Sequence, residues 1–381
     1  VIWKHQAKLS FPVVSLSNDR IYVFDGALEN FYSDYKRRGE VPKALAERYI
    51  KAIDVQTGKT IWEQTTDVIG TWISYSKGKD VLLVTNREGI SAFRGKDGSE
   101  LWKKYAKGQG FRGHPENLWD KIIIWNDRIL DQRGPGKSYD LETGEPILRT
   151  NPITGKPIPW EFTKSGHHCN YAIASPHLMT FRADSAGFCD IDSTNTSRLE
   201  GFRTGCRNSL VPANGVLNSP NMAHGCSCGY SLFTSLALTH VPESEVWSYS
   251  ALAVNAKQDE IQRVGINLGA PGDRQAENGT LWLDYPNIGG SSPVLSVQAT
   301  GQNLKYFHKH SAFVESGELK WVAASGAEGL STLTVKLAPD AKQDRQYTVR
   351  LYFLEPHEEA KPGQRLFDVS LQGKRVLQEL D

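Results

Sequence analysis

Short apolar runs separated by turn residues follow one another along the first 250 residues of the chain. The runs at 20–24, 80–84 and 121–125 have the length and composition of buried β-strands. Ser, Asn, Asp and Gly lie between the runs, and these residues favour tight turns. The pattern predicts an all-β chain built from short antiparallel strands.

A short motif recurs within this pattern: an acidic turn residue, a glycine and then a tryptophan. Trp62 and Trp102 lie 40 residues apart, whereas the third copy, around Gly144, lacks the Trp. A repeat near 40 residues with a turn and a Trp in each unit predicts β-propeller blades of four strands. The residues predicted to shape the blades are Trp3, Asp54, Gly58, Trp62, Asp97, Gly98, Trp102, Asp140 and Gly144.

The repeat also predicts the domain boundaries. The propeller spans 1–250 and enters at the last strand of a blade, so we expect it to be incomplete at the N-terminus. An insertion at 26–50, with helix-forming residues after Pro42, is expected on the rim. Residues 251–263 are predicted to be a linker.

A different pattern occupies 264–381. Strands are predicted at 281–283, 320–323, 331–337, 346–353 and 366–371. The apolar residues in two of these segments alternate with polar residues, which predicts a half-buried β-sandwich. These apolar residues are Val335, Leu337, Tyr347, Val349 and Leu351.

Charge and hydropathy exclude two classes of partner. The 44 basic and 43 acidic residues give a net charge of +1, without the basic stripe typical of nucleic-acid binding. No apolar run approaches the roughly 18 residues that a transmembrane helix needs.

The cysteines are clustered. All five, Cys169, Cys189, Cys206, Cys226 and Cys228, lie within 60 residues of the 381-residue chain. Clustering of this kind favours disulfides and therefore a location outside the cytosol, with one thiol left over. Free buried thiols remain an alternative. A metal site remains another, with His224, Cys226 and Cys228 as its weak candidates.

Two family resemblances follow from these motifs. The repeated Asp-x-x-Thr/Asp-Gly-x-x-x-Trp units resemble blades of pyrroloquinoline-quinone-type (PQQ-like) propellers. The segments 201–208 and 212–218, followed by Cys226-Ser227-Cys228, resemble a bacterial secreted subgroup of that family. Residues 265–269, 347–356 and 363–369 are similar to malectin-like domains, which are β-sandwiches that in several cases bind carbohydrate. Because such domains have further strands, the resemblance implies that the sandwich is truncated at Asp381 or completed from another chain.

These resemblances and the residues together predict a non-catalytic, extracytoplasmic binding or assembly protein. We expect it to bind another protein or a second copy of the chain through an open sheet edge. Carbohydrate is a further expected partner. Trp282, Tyr285 and Tyr306 are the candidates for stacking on sugar rings, with packing in the core as the alternative role. No catalytic constellation and no cofactor are predicted. The alternative function is a PQQ- or metal-dependent periplasmic oxidoreductase.

Overall fold

A computed structural model describes most of the chain. The described residues are 2–5, 14–25, 48–66, 72–85, 89–105, 122–132, 135–164, 170–205, 208–220, 229, 234–241, 243–252, 254–255, 259–287, 292–338, 343–357 and 359–381. The chain divides into two compact units. Unit 1 contains Val1–Ala253 and Ser291–Pro293, and unit 2 contains Val254–Gly290 and Val294–Asp381.

Unit 1 begins with two complete four-stranded antiparallel blades. The first contains β1 (Val14–Leu16), β2 (Arg20–Asp25), β3 (Tyr49–Asp54) and β4 (Thr60–Thr65). The second contains β5 (Trp72–Ser76), β6 (Val81–Thr85), β7 (Gly89–Arg94) and β8 (Glu100–Tyr105). Consecutive strands pair in both sheets, as expected for antiparallel blades. The predicted insertion at 26–50 lies outside the described residues up to position 47, and β3 already includes Tyr49 and Ile50.

Two further four-stranded sheets and a three-stranded sheet follow. The third blade contains β9 (Ile123–Trp125), β10 (Arg128–Leu130), β11 (Pro135–Asp140) and β14 (Glu161–Thr163). The fourth contains β15 (Ile173–Ala174), β16 (Leu178–Ala183), β17 (Ser185–Asp190) and β18 (Thr196–Leu199). The last sheet contains β19 (Val211–Ala213), β20 (Val216–Ser219) and β21 (Leu236–Thr239).

The apolar core of unit 1 lies between blades. One buried cluster joins Tyr22 and Ile50 of the first blade to Leu82 and Phe93 of the second. Similar clusters join the second blade to the third, the third to the fourth and the fourth to the last sheet. Strands β1, β5, β9 and β15 lie next to one another in that order. Each blade therefore packs against its successor, as in a propeller.

Tryptophan side chains bridge successive blades. The indole N–H of Trp62 donates to the Gly95 carbonyl oxygen at 2.9 Å, and its ring lies where a Cβ on Gly98 would come within 2.6 Å. Gly98 has a φ of +76°, a conformation that only glycine adopts at little cost. The repeated Gly and Trp therefore belong to one contact, in which the Trp of one blade covers the turn glycine of the next. Equivalent N–H···O bonds are made by Trp3 to Val55, Trp102 to Leu141 and Trp160 to Ile191.

The third blade has this tryptophan after all, at Trp160. A hairpin of β12 (Leu148–Thr150) and β13 (Pro157–Pro159) interrupts the outer strand directly before it. The Ser138 N–H donates to the Trp160 carbonyl oxygen at 3.3 Å, so Trp160 pairs where Trp62 pairs with Ala52 in the first blade. The motif around Gly144 has no Trp nearby in sequence because the inserted hairpin separates Gly144 from Trp160.

The acidic turn residues hold the connections between the third and fourth strands. Asp54 Oδ1 accepts hydrogen bonds from the backbone N–H groups of Gln56 and Thr57 and from the Thr57 hydroxyl. The hydroxyl contact, followed by the two backbone bonds, lowers the pKa of Asp54. Asp140 makes the same turn with Glu142 and Thr143, which explains why these acids recur.

Unit 2 consists of smaller sheets. A three-stranded sheet has β22 (Gly265–Leu268) parallel to β24 (Leu281–Tyr285), with β23 (Arg274–Gln275) on the other side of β24. Three antiparallel pairs join β25 (Val297–Thr300) to β28 (Thr332–Val335), β26 (Lys305–His308) to β27 (Ser325–Glu328), and β29 (Phe367–Leu371) to β30 (Lys374–Leu380). A 3-10 helix spans Ser311–Phe313, and helix α1 spans Lys320–Ala323.

Three expectations for this part of the chain need correction. Residues 320–323 are helical, because Leu319 and Val322 pack on Trp282 with the three-residue spacing of one helix face. Residues 346–353 carry no strand assignment, and Val349 and Leu351 are 51% and 46% exposed. Ile261, inside the predicted linker, is buried in unit 2 and donates its N–H to the Leu337 carbonyl oxygen at 2.7 Å.

Candidate functional site

Two of the three aromatic candidates lie together in unit 2. The ring centroids of Tyr285 and Tyr306 are 6.2 Å apart, and the rings meet at 74°. Both side chains are half-buried, so each ring retains solvent-facing surface. An aromatic corner of this kind offers two faces at once to a ligand that has an apolar side.

A glycine brings the two tyrosines together. Gly269 follows β22, has a φ of +79° and donates its N–H to the Tyr285 carbonyl oxygen at 2.7 Å. A Cβ at Gly269 would lie 2.5 Å from the carbonyl oxygen of Phe307, so its absence allows the β22–β24 sheet to approach β26. The corner therefore depends on one close contact between two backbones.

Polar groups lie beside the corner. Tyr306 and His308 point to the same face of β26 because side chains alternate along a strand. His308 Nδ1 is 2.9 Å from the hydroxyl oxygen of Ser325, its partner across the β26–β27 pair. Opposite Tyr306 stands Ala327, which has only a methyl side chain. The sequence analysis missed His308, although its two-residue spacing from Tyr306 on a strand could have indicated it.

The hydroxyl groups of Tyr285 and Tyr306 add polar atoms to the corner. The backbone N–H of Ala299 donates to the Tyr285 hydroxyl oxygen at 3.3 Å. Partial burial raises the pKa of Tyr306 above its ordinary value, and the nearby Tyr285 adds to this shift. The corner therefore combines apolar ring surface with tyrosine hydroxyl groups.

Trp282, the third aromatic candidate, is a core residue. Its side chain is 9% exposed and makes edge-on contacts with Trp321 at 6.0 Å and Tyr352 at 5.4 Å. The backbone of Gly265 lies against its indole ring. A ring covered on these sides cannot stack on a ligand, so packing is its role.

The cysteine and metal candidates fall mostly on residues that the structure does not describe. Cys189 is a buried free thiol in β17, where it pairs with Thr196 inside the fourth blade, so this residue leaves the set of disulfide candidates. Burial raises the pKa of its thiol. Cys169, Cys206, Cys226 and Cys228 lie outside the described residues, as does His224. Among the residues that are described, no three His, Cys, Asp or Glu side chains are grouped to hold a metal ion.

Comparison with known proteins finds a similarity at the end of the chain. Residues 329–381 match the family described as "Malectin domain". No curated protein sequence matches the chain. One similar solved structure is BamB from Moraxella catarrhalis, with 13% identity and a TM-score of 0.31 over 54% of this chain and 65% of that chain. The chain thus spans less than two thirds of that protein.

The predicted fold class is confirmed. The described residues are almost entirely β, with four-stranded blades of the propeller type in unit 1 and a C-terminal segment, 329–381, that is similar to the malectin domain. The propeller assignment rests on the blade order and the tryptophan contacts. Within the described ranges, no helix is long and apolar enough to cross a membrane.

Proposed function

We propose that this protein is a non-catalytic binding protein whose C-terminal unit binds saccharides at Tyr285 and Tyr306. The observation that carries the proposal is the corner formed by two half-exposed rings at 74°. The C–H faces of a pyranose pack on aromatic rings, and two rings at a steep angle contact two sides of one sugar.

The surroundings of the corner support a sugar rather than a purely apolar ligand. The imidazole of His308 and the hydroxyl of Ser325 lie on the Tyr306 side of β26 and β27. Side chains of these types hydrogen-bond to sugar hydroxyls. The match of residues 329–381 to the malectin domain is consistent with this class of ligand.

A glycan array followed by calorimetry tests this proposal. The wild-type chain should bind at least one neutral oligosaccharide, and Tyr306→Ala should weaken that binding at least about tenfold, since it removes one stacking face. Tyr347→Ala is the matched control, because Tyr347 is a 37% exposed tyrosine of unit 2 outside the corner. An array without a bound glycan, or equal losses in both variants, would refute the assignment.

The assembly part of the proposal rests on exposed apolar side chains of unit 2. Val349, Leu351 and Phe353 are 51%, 46% and 56% exposed, and Leu366 and Phe367 add to them. The ring centroids of Phe353 and Phe367 are 5.4 Å apart, and exposed apolar surface of this kind is typical of protein contacts. We therefore propose that a second copy of the chain covers it.

We further propose an extracytoplasmic location, either periplasmic, at the cell surface or secreted. With Cys189 a free thiol, the four cysteines that remain are an even number and can form two disulfides. The proposal includes no quinone and no catalytic step.

A further inference from the structure

The β29–β30 hairpin of unit 2 forms a sheet of only two strands. Within the described residues, no third strand joins it. A two-stranded hairpin is marginally stable in water unless a further strand or another packed element covers its apolar side. The hairpin therefore gains stability from any partner that covers that side.

The strand register places the apolar residues of the hairpin on one side. Phe367 pairs with Leu380, and Val369 pairs with Leu377, and residues paired across two strands point to the same side of a sheet. Leu371 joins them, because side chains two residues apart on β29 share a side. We call these five residues the hairpin face. Phe367, Leu371 and Leu377 are 41%, 38% and 45% exposed, so the face is in contact with solvent.

The opposite side of the hairpin is polar. Asp368 and Ser370 alternate with the apolar residues of β29, and Arg375 of β30 pairs with Ser370. The Nε atom of Arg375 lies 3.3 Å from Asp368 Oδ2, so these two charges form an ion pair on the polar side. Removal from water favours the hairpin face and disfavours the polar side, so a partner that excludes water is expected on the hairpin face.

The apolar surface continues from the hairpin face into the segment that precedes it. The rings of Phe353 and Phe367 are in contact, and Phe353, Val349 and Leu351 are each about half exposed. Together with the hairpin face, these side chains expose roughly 600 Å² of apolar surface. Two copies that cover this surface on each other would bury about 1,200 Å² in total, which is the lower end of the range for specific protein interfaces. The area is therefore sufficient for a reversible dimer.

We propose that the hairpin face packs against the same face of a second copy of the chain about a two-fold axis. The proposal rests on the self-association proposed above and specifies its surface and its symmetry. An apolar face is complementary to itself, and a two-fold contact uses the same patch on both copies, so association ends at the dimer. The two hairpins would lie about 10 Å apart, as two sheets do in a sandwich.

Two adjacent residues of β29 test which side of the hairpin is in contact. Leu371→Asp places a charge on the hairpin face, whereas the matched control Ser370→Asp places the same charge on the polar side. In sedimentation velocity at about 1 to 100 µM, the wild-type chain should form a dimer. Leu371→Asp should weaken dimerisation at least about tenfold, because the contact would bury an unpaired charge, and Ser370→Asp should not. Both residues are exposed, so circular dichroism should show that both variants fold.

Chemical crosslinking tests the two-fold symmetry. Leu377 pairs with Val369, the middle residue of β29, so it lies near the centre of the hairpin face and should approach its own copy. A bismaleimide that spans about 10 Å should join two Leu377→Cys chains, whereas Ser370→Cys chains should give only the background of the wild type. Dimers that survive Leu371→Asp, equal losses in both aspartate variants, or equal crosslinking of both cysteine variants would overturn this contact and leave self-association in place. A strictly monomeric wild type would overturn both, and wild-type assemblies larger than a dimer would overturn the two-fold arrangement.

Discussion

The contact between Trp62 and Gly98 gives the sharpest prediction about the propeller. In Gly98→Ala, the new Cβ would lie 2.6 Å from the Trp62 ring, on a backbone with a φ of +76°. The left-handed backbone costs an alanine about 1–2 kcal/mol. The ring must also move, which strains the indole N–H bond to Gly95 and its packing between two blades.

The free-energy cost of the clash with the Trp62 ring can be separated from the cost of the left-handed backbone. Overpacking of a filled core costs about 1–3 kcal/mol, and the strained hydrogen bond is included in that range. Gly215→Ala is the matched control, because Gly215 has a φ of +74° and nothing within 4 Å of the added methyl group. Gly98→Ala should therefore be less stable than Gly215→Ala by about 1–3 kcal/mol.

Urea unfolding followed by tryptophan fluorescence measures this difference, since both glycines lie in unit 1. A double-mutant cycle adds a second check. With Trp62→Leu already present, Gly98→Ala should cost no more than Gly215→Ala, because the ring that the methyl group meets is gone. Equal destabilisation by the two glycine variants in the wild-type background would refute the reasoning.

Two further predictions concern assembly and redox state. Light scattering during size-exclusion chromatography should show concentration-dependent association of the wild-type chain. Val349→Asp should abolish this association, whereas the control Val246→Asp, at an equally exposed valine of unit 1, should not. A strictly monomeric wild type would contradict self-association. Alkylation of the denatured, unreduced protein should label Cys189 alone, because we expect two disulfides among Cys169, Cys206, Cys226 and Cys228. Labelling of all five cysteines would argue against an oxidising compartment.

The blade pattern could be predicted from sequence because its causes are local. The turn at Asp54 is made by hydrogen bonds within four residues, and the glycine after it has the positive φ that the turn requires. These contacts repeat wherever the residues repeat. The same reasoning failed at Trp160, because an inserted hairpin changes the spacing in sequence and leaves the position in the sheet unchanged.

The candidate site was predictable only as a set of residue types. Trp282, Tyr285 and Tyr306 are equally plausible as stacking residues when only the sequence is considered, yet one is a core residue and the other two meet at a corner. Their placement depends on Gly269 lying against Phe307, two residues 38 positions apart in the chain. Periodicity within one strand contains no information about such a contact.

The sequence by itself determined the all-β class, the blade repeat and the turn chemistry, because short-range hydrogen bonds and strand alternation act within a few residues. Only the tertiary structure decided that Trp3, Trp62 and Trp102 each cover a turn glycine of the next blade, that Cys189 is a free buried thiol, and that Tyr285 and Tyr306 meet at one corner. Those relationships arise from packing between distant segments, where burial and close approach decide which side chains meet.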